Sequence, residues 1–177
     1  RNKTTILETK ATLDVNIPWV EGLSLTGNAA YDRRMDNNKL WRTPWYLYAW
    51  DGVSRDENGE PTLVEGQKGY TNPELTQDMS DGALLTMNAL LNYELNMQDN
   101  HHIKALFGVE RISGESMNFN AYRKNFVSTA LDQLFAGGDA EKNNGGSASL
   151  QARLNYFGRV NYDFRHKYLF EFVWRYD

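Results

Sequence analysis

The 177-residue sequence has no cysteine, which removes disulfides, thiol nucleophiles and cysteine-ligated zinc together. It lacks any run of the eighteen or so apolar residues that a membrane-crossing helix needs, so insertion as a helix is excluded. A β-barrel span escapes that test, because only alternate residues of its strands face lipid. Basic residues are not in surplus: 19 Lys and Arg stand against 23 Asp and Glu, for a net charge of -4. Without a broad positive surface, nucleic acid is not an expected partner. Arg1 opens the sequence with no charged, apolar and cleavage regions of a secretion signal. That predicts either a cytosolic protein or an internal piece of something longer.

Aromatic residues are plentiful at 13%, although mean hydropathy is only -0.65. Strands that alternate between two media have this composition. From Ala152 to Asp177, Leu154, Tyr156, Val160 and Tyr162, then Tyr168, Phe170, Phe172 and Trp174, alternate with Arg153, Asn155, Arg159, Asn161, Glu171 and Arg175. The same period of two recurs in Leu7 to Ile17, in Leu23 to Tyr31, in Leu85 to Met97 and in Ile103 to Val109. Six strands are predicted at about 5–17, 22–32, 84–97, 102–113, 150–163 and 167–177. They form three hairpins that turn at "PWVEG", "QDNHH" and "DFRHK".

The stretches between hairpins, about 33–80 and 115–148, read as loops far beyond the fifteen or so residues usual in compact domains. Tight turns at one end and long loops at the other are the asymmetry of outer-membrane barrels. A tilted strand of about 12 residues rises roughly 30 Å, enough to cross the apolar band. Trp19, Tyr93, Tyr162, Phe164 and Tyr168 fall near the tight turns, and Tyr31, Trp174 and Tyr176 toward the loops, as two interfacial girdles require. A soluble sheet with one face on a protein core shows the same alternation. Six strands cannot close a barrel in lipid, where about eight are needed. The membrane reading therefore predicts a fragment or an oligomer, and the mid-strand end at Asp177 favours a fragment.

"YFGRVNYDFRHKYLFEFVWRYD" resembles the barrel segment of SusC/RagA-type TonB-dependent transporters, which carry a similar Phe-Gly-Arg-Val-Asn-Tyr, a short turn, Lys-Tyr-Leu and Arg-Tyr-Asp. "ALDQLFAGG" and "NNGGSAS" resemble that family's loop and strand entry. The likeness is specific from about Ala130 to Asp177 and consistent in layout from Thr5 to Glu110. It implies an all-β antiparallel transmembrane barrel segment, one sector of about 22 strands around a plugged lumen, with the plug and signal peptide absent. It also implies the outer membrane of a Gram-negative bacterium and import of oligosaccharides or peptides. The implied partners are a SusD-like surface lipoprotein as lid, outer-membrane lipid, and the TonB complex through missing N-terminal parts. No enzymatic activity and no cofactor are implied.

Within the first long stretch, Trp41, Trp45, Tyr46, Tyr48 and Trp50 crowd into ten residues. Such rings stack on sugars and anchor protein interfaces, so they are candidates for cargo or lid contact; the plainer reading is that they pack the loop or line the upper girdle. Arg153, Arg159, Glu171 and Arg175 are candidates for a lumen-facing ladder that contacts the plug or guides polar cargo, or else for cross-strand pairs that hold the wall. Asp51, Asp56, Asn58 and Glu60 faintly resemble a calcium loop without its full ligand spacing; an Asn58-Gly59 turn explains them better. "STALDQLFAGG" predicts a short helix capped by Ser128 or Thr129 and ended at Gly137. His101, His102 and His166 fall at predicted turns, and the adjacent pair points to opposite faces, so no metal site is expected. The competing classes are a soluble carbohydrate-binding β-domain, a siderophore or haem TonB-dependent receptor, and an outer-membrane enzyme barrel, for which no catalytic set can be assembled.

Overall fold

The computed structural model describes residues 1–97 and 100–177. Six strands, β1 (Asn2–Asn16), β2 (Leu23–Ala49), β3 (Val64–Met97), β4 (His101–Lys124), β5 (Lys142–Phe164) and β6 (Tyr168–Tyr176), hydrogen-bond in chain order as one antiparallel meander. The sheet is open, with β1 and β6 as its edges. The expected all-β antiparallel class holds. Of the expected "QDNHH" turn, Gln98 and Asp99 lie outside the described residues, while His101 and His102 begin β4.

Strand lengths depart from expectation. β2, β3 and β5 run for 27, 34 and 23 residues, so much of the expected loops 33–80 and 115–148 is paired strand. The connections that remain are 50–63 and 125–141. Alternation betrays a strand only where one face is apolar, and in these extensions polar cross-strand pairs take that role. Arg42 Nη1 meets Glu74 Oε1 at 2.9 Å, Thr4 donates to Asp36 at 2.6 Å, and Asn118 Nδ2 donates to Ser147 Oγ at 2.9 Å.

The chain divides into two compact units. The first comprises Arg1–Thr4, Asp36–Ser80 and Asn118–Ser147; the second comprises Thr5–Met35, Asp81–Met117 and Ala148–Asp177. These divisions fall within a few residues of the limits at which apolar alternation stops. Composition therefore marks the edge of a unit, where it had predicted the end of a strand.

In the second unit each strand separates its residues onto two faces. The β5–β6 register pairs Tyr156 with Tyr176, Val160 with Phe172, Tyr162 with Phe170 and Phe164 with Tyr168 on one face. Asn161 with Glu171, Asp163 with Leu169 and Phe157 with Arg175 occupy the other. The polar face continues across β1 to β3, where Thr12 donates to Asn28, Thr26 to Asp14, and Asn28 to Asn88, at 2.7 to 2.8 Å. On the apolar face Phe107 lies 6.0 Å from Trp174, and Trp174 covers Gly158, where a Cβ would overlap the indole.

Among the described residues nothing covers that apolar face. Among the described residues the buried hydrophobic side chains are Leu75 (0% exposed) and Phe126 (7%), both in the first unit. Leu91, Phe107 and Phe170 are all exposed. A sheet with this much uncovered apolar surface needs an apolar medium or partner.

The β5–β6 connection is three residues long, 165–167, and holds a tight turn: Lys167 N donates to Phe164 O at 3.1 Å, and Arg165 and His166 both take positive φ, 55° and 51°. That is the type I′ geometry matched to strand twist, which favours Asn-Gly. Arg165→Asn is expected to raise stability by about 0.5 to 1 kcal/mol and Arg165→Val to lower it by about 1 to 2 kcal/mol. Urea midpoints of the folded protein in detergent read both; equal midpoints would mean that the turn does not hold the hairpin.

The expected helix at "STALDQLFAGG" is not formed. Only Leu134–Ala136 makes a 3₁₀ turn, flanked by extended Gln133 and Gly137. Ser128 Oγ accepts from Ala130 N in a local turn, Asp132 pairs with Lys39 at 3.0 Å, and Phe135 stays exposed. A helix this short needs a buried apolar face, and here none is buried. The Asn58-Gly59 turn is present: Gly59 N donates to Asp56 O, Asp56 N to Glu60 O, and Gly59 supplies φ 83°.

Candidate functional site

The first unit carries the aromatic stretch on β2 and the connection to β3. Trp41 is not free to bind: it stands edge-on to the buried Phe126 with centroids 4.6 Å apart. Trp45 lies across Gly69, where a Cβ would come within 2.6 Å of its Nε1, and half of it remains exposed. Tyr46 is exposed, and Tyr48 is exposed with its hydroxyl donating to Glu65 Oε2 at 3.0 Å. That bond raises the Tyr48 hydroxyl above its usual range. Trp50 is fixed by Nε1 donating to Ser54 O at 2.7 Å and by the Arg55 guanidinium 5.4 Å over its ring.

Polar groups also link the strands of the first unit. The Glu74 carboxylate accepts from Arg42 and, at 3.0 Å, from the Tyr122 hydroxyl. Glu74 raises Arg42; burial, then the Glu74 bond, raises Tyr122. Arg42 also lies 5.2 Å over the Tyr70 ring. In the 50–63 connection, Ser54 and the backbone N–H groups of Ser54 and Val53 hold the Asp51 carboxyl down to about 2. Asp51 is thus consumed by its own turn, and among the described residues no three His, Asp or Glu come together as a metal site.

In the second unit Arg159, Glu171 and Arg175 share the polar face by register, and Arg153 stands on the same alternation of β5. Among the described residues no ion pair joins any two of the four; Arg175 Nε instead donates to Asp177 Oδ1 at 2.6 Å. Asn155, between them, is 2% exposed and donates to Glu110 Oε1 at 3.1 Å. The adjacent histidines diverge as alternation requires. His101 meets the Tyr162 hydroxyl at 2.7 Å on the apolar face, while His102 stacks on His166 at 4.5 Å.

No protein-family model matches the chain, and no curated protein matches it by sequence. Solved structures do. A chain of the RagAB peptide transporter matches with a TM-score of 0.71 at 18% identity, over 98% of this chain. Chains of the RagAB peptide importer in its closed-closed and open-open states match with a TM-score of 0.71 at 20% identity over the same share. At this identity the likeness is one of fold. The chain spans 18% of the length of the solved chains it matches.

Sequence reasoning put Arg153, Arg159, Glu171 and Arg175 on one face of the strands but missed the Glu74–Arg42–Tyr122 cluster and the Asn155–Glu110 contact. Each joins residues that are distant in sequence, and no local spacing announces such pairs.

Proposed function

We propose that the chain is wall and extracellular surface of a SusC/RagA-type TonB-dependent importer in the outer membrane of a Gram-negative bacterium. The observation that carries this reading is the uncovered apolar face of the second unit, on which Leu91, Phe107 and Phe170 stand exposed with no second layer of polypeptide among the described residues. Lipid covers that face, and the polar face lines the lumen. The first unit is the extracellular part, made of strand extensions where loops had been expected.

In this reading Trp45, Tyr46, Tyr48 and Trp50 offer contact to cargo or to a SusD-like lid, and the TonB complex acts through parts of the protein outside these residues. The fold likeness to RagAB chains supports a large-nutrient importer, with peptides or oligosaccharides as cargo. No catalytic role is assigned to any residue.

Extraction tests the reading. The full-length protein is expected to stay in the outer membrane through salt washing and to leave with detergent; release by salt alone would overturn the barrel reading in favour of a soluble domain. Trp45→Ala is expected to weaken cargo or lid affinity about tenfold by calorimetry, as loss of an exposed aromatic anchor does. Unchanged affinity for both ligands would remove the binding role.

A further inference from the structure

An arginine stands on the apolar face of the second unit. Glu110 accepts from Asn155 on the polar face, so alternation turns its neighbour Arg111 to the opposite side, with Phe107 and Val109. Arg111 is exposed there, and among the described residues no ion pair engages it. From His101, the first residue of β4, to Arg111 the strand runs about 33 Å, which at the usual tilt is a height of about 25 Å. That height puts Arg111 at the outer border of an apolar band whose inner border lies at the tight turns.

Beside it lies a hollow of about 500 Å³, whose lining includes Leu13, Gly27, Ala29, Met87, Ala89 and Arg111. Thr12, Asn28 and Asn88 bond in a row on the polar face, and the Glu94–Lys104 pair carries the register on to β4. The residues flanking that row therefore form two rows on the apolar face: Ala29, Met87 and Arg111 in the outer one, Leu13, Gly27 and Ala89 in the inner one. Gly27 and Ala89 make a shallow floor, with Leu13 and Met87 as its banks. The next row toward the tight turns carries Leu25, Leu91 and Phe107. The groove thus begins at Arg111 and runs toward the middle of the band until larger side chains close it.

An arginine at the edge of hydrocarbon is costly unless an anion or water meets it. A free phosphate ion would meet Arg111 and leave the groove unfilled. A neutral lipid would fill the groove and leave the charge unmet. A lipid with an anionic phosphate head does both, since the guanidinium takes phosphate through two parallel N–H bonds and the chain below the head lies in the groove. We propose that Arg111 and this groove bind one membrane lipid with an anionic phosphate headgroup, in the leaflet away from the tight turns. The proposal rests on the barrel reading of the apolar face.

The test uses the full-length protein in phosphatidylcholine vesicles that contain a minor fraction of a lipid with a photoreactive acyl chain, and maps labelled peptides by mass spectrometry. The probe is phosphatidic acid in one arm and phosphatidylcholine, whose phosphate is covered by its own quaternary amine, in the other. Phosphatidic acid is expected to label the peptides holding residues 27–29 and 87–89 about five-fold more than phosphatidylcholine does. Arg111→Gln should abolish that preference and Arg111→Lys keep part of it. Ala89→Leu, which fills the groove, should cut the phosphatidic acid labelling about five-fold, with heat-modifiable mobility reporting a folded barrel throughout. Equal labelling by the two lipids, a preference that survives Arg111→Gln, or phosphatidic acid labelling that Ala89→Leu leaves unchanged would overturn the proposal. So would a photo-crosslinking amino acid at Leu13 that links to a protein instead of lipid in native membranes. The barrel reading fails separately: if neither lipid labels the peptides holding Leu91, Phe107 and Phe170, hydrocarbon does not touch the face, whereas labelling there without headgroup preference loses the lipid site alone.

Discussion

Arginine in place of Phe170 or of Leu91 is expected to keep most of the full-length protein from assembling in the outer membrane. Both residues stand on the uncovered apolar face of the second unit, and Phe170 pairs directly with Tyr162 across β5 and β6. At the bilayer midplane an outward Arg costs roughly 2 to 4 kcal/mol, and loss of the aromatic cross-strand pair adds up to about 1 kcal/mol at Phe170. Barrel stability of ordinary size does not absorb that cost without a large unfolded fraction. Glu171→Arg, one residue from Phe170 but on the opposite face, is the matched control and should assemble normally. Surface levels and heat-modifiable mobility read all three variants. Normal assembly of both Phe170→Arg and Leu91→Arg would mean that hydrocarbon does not touch this face.

The same face explains what could be read beforehand and what could not. In β5 and β6 the alternation of Tyr162, Phe170 and Phe172 against Asn161 and Glu171 fixed strand, face and pairing together, because a one-residue slip would turn every ring into the wrong medium. In β3 the stretch from Val64 to Ser80 gave no such signal. It carries Gly66, Gly69 and Pro73, which read as breakers, and both of its faces are largely polar, so Glu74 bonds Arg42 and Tyr122 where an apolar pair would have shown a period. The helix expected around Leu131 and Phe135 failed for the complementary reason: the apolar spacing was present, but no surface buries it. The aromatic stretch was visible as composition, yet only the fold separates Trp41, spent on Phe126, from Trp45, laid open on Gly69.

Gly22→Val is expected to be the most damaging change to the turn between β1 and β2. Gly22 takes φ 78°, a region closed to β-branched residues, and its carbonyl accepts from Glu94 N of β3 at 2.8 Å. A Cβ there would overlap the Glu94 carbonyl group, which is backbone and cannot swing away. The left-handed conformation costs about 1 to 2 kcal/mol, and parting the two backbones forfeits a hydrogen bond worth about 1 kcal/mol, for a total of about 2 to 3 kcal/mol. Two other glycines separate these causes. Gly59 shares the positive φ, at 83°, with open space around it, so Gly59→Ala should lose only about 1 kcal/mol. Gly27 has neither constraint, its nearest neighbour being Leu13 O at 4.0 Å, so Gly27→Ala should fall within about 0.5 kcal/mol of wild type. Urea midpoints in detergent give the order. If Gly22→Val cost no more than Gly59→Ala, the β1–β2 turn would not be seated on β3 in the folded protein, and the close approach at Glu94 would have to be abandoned.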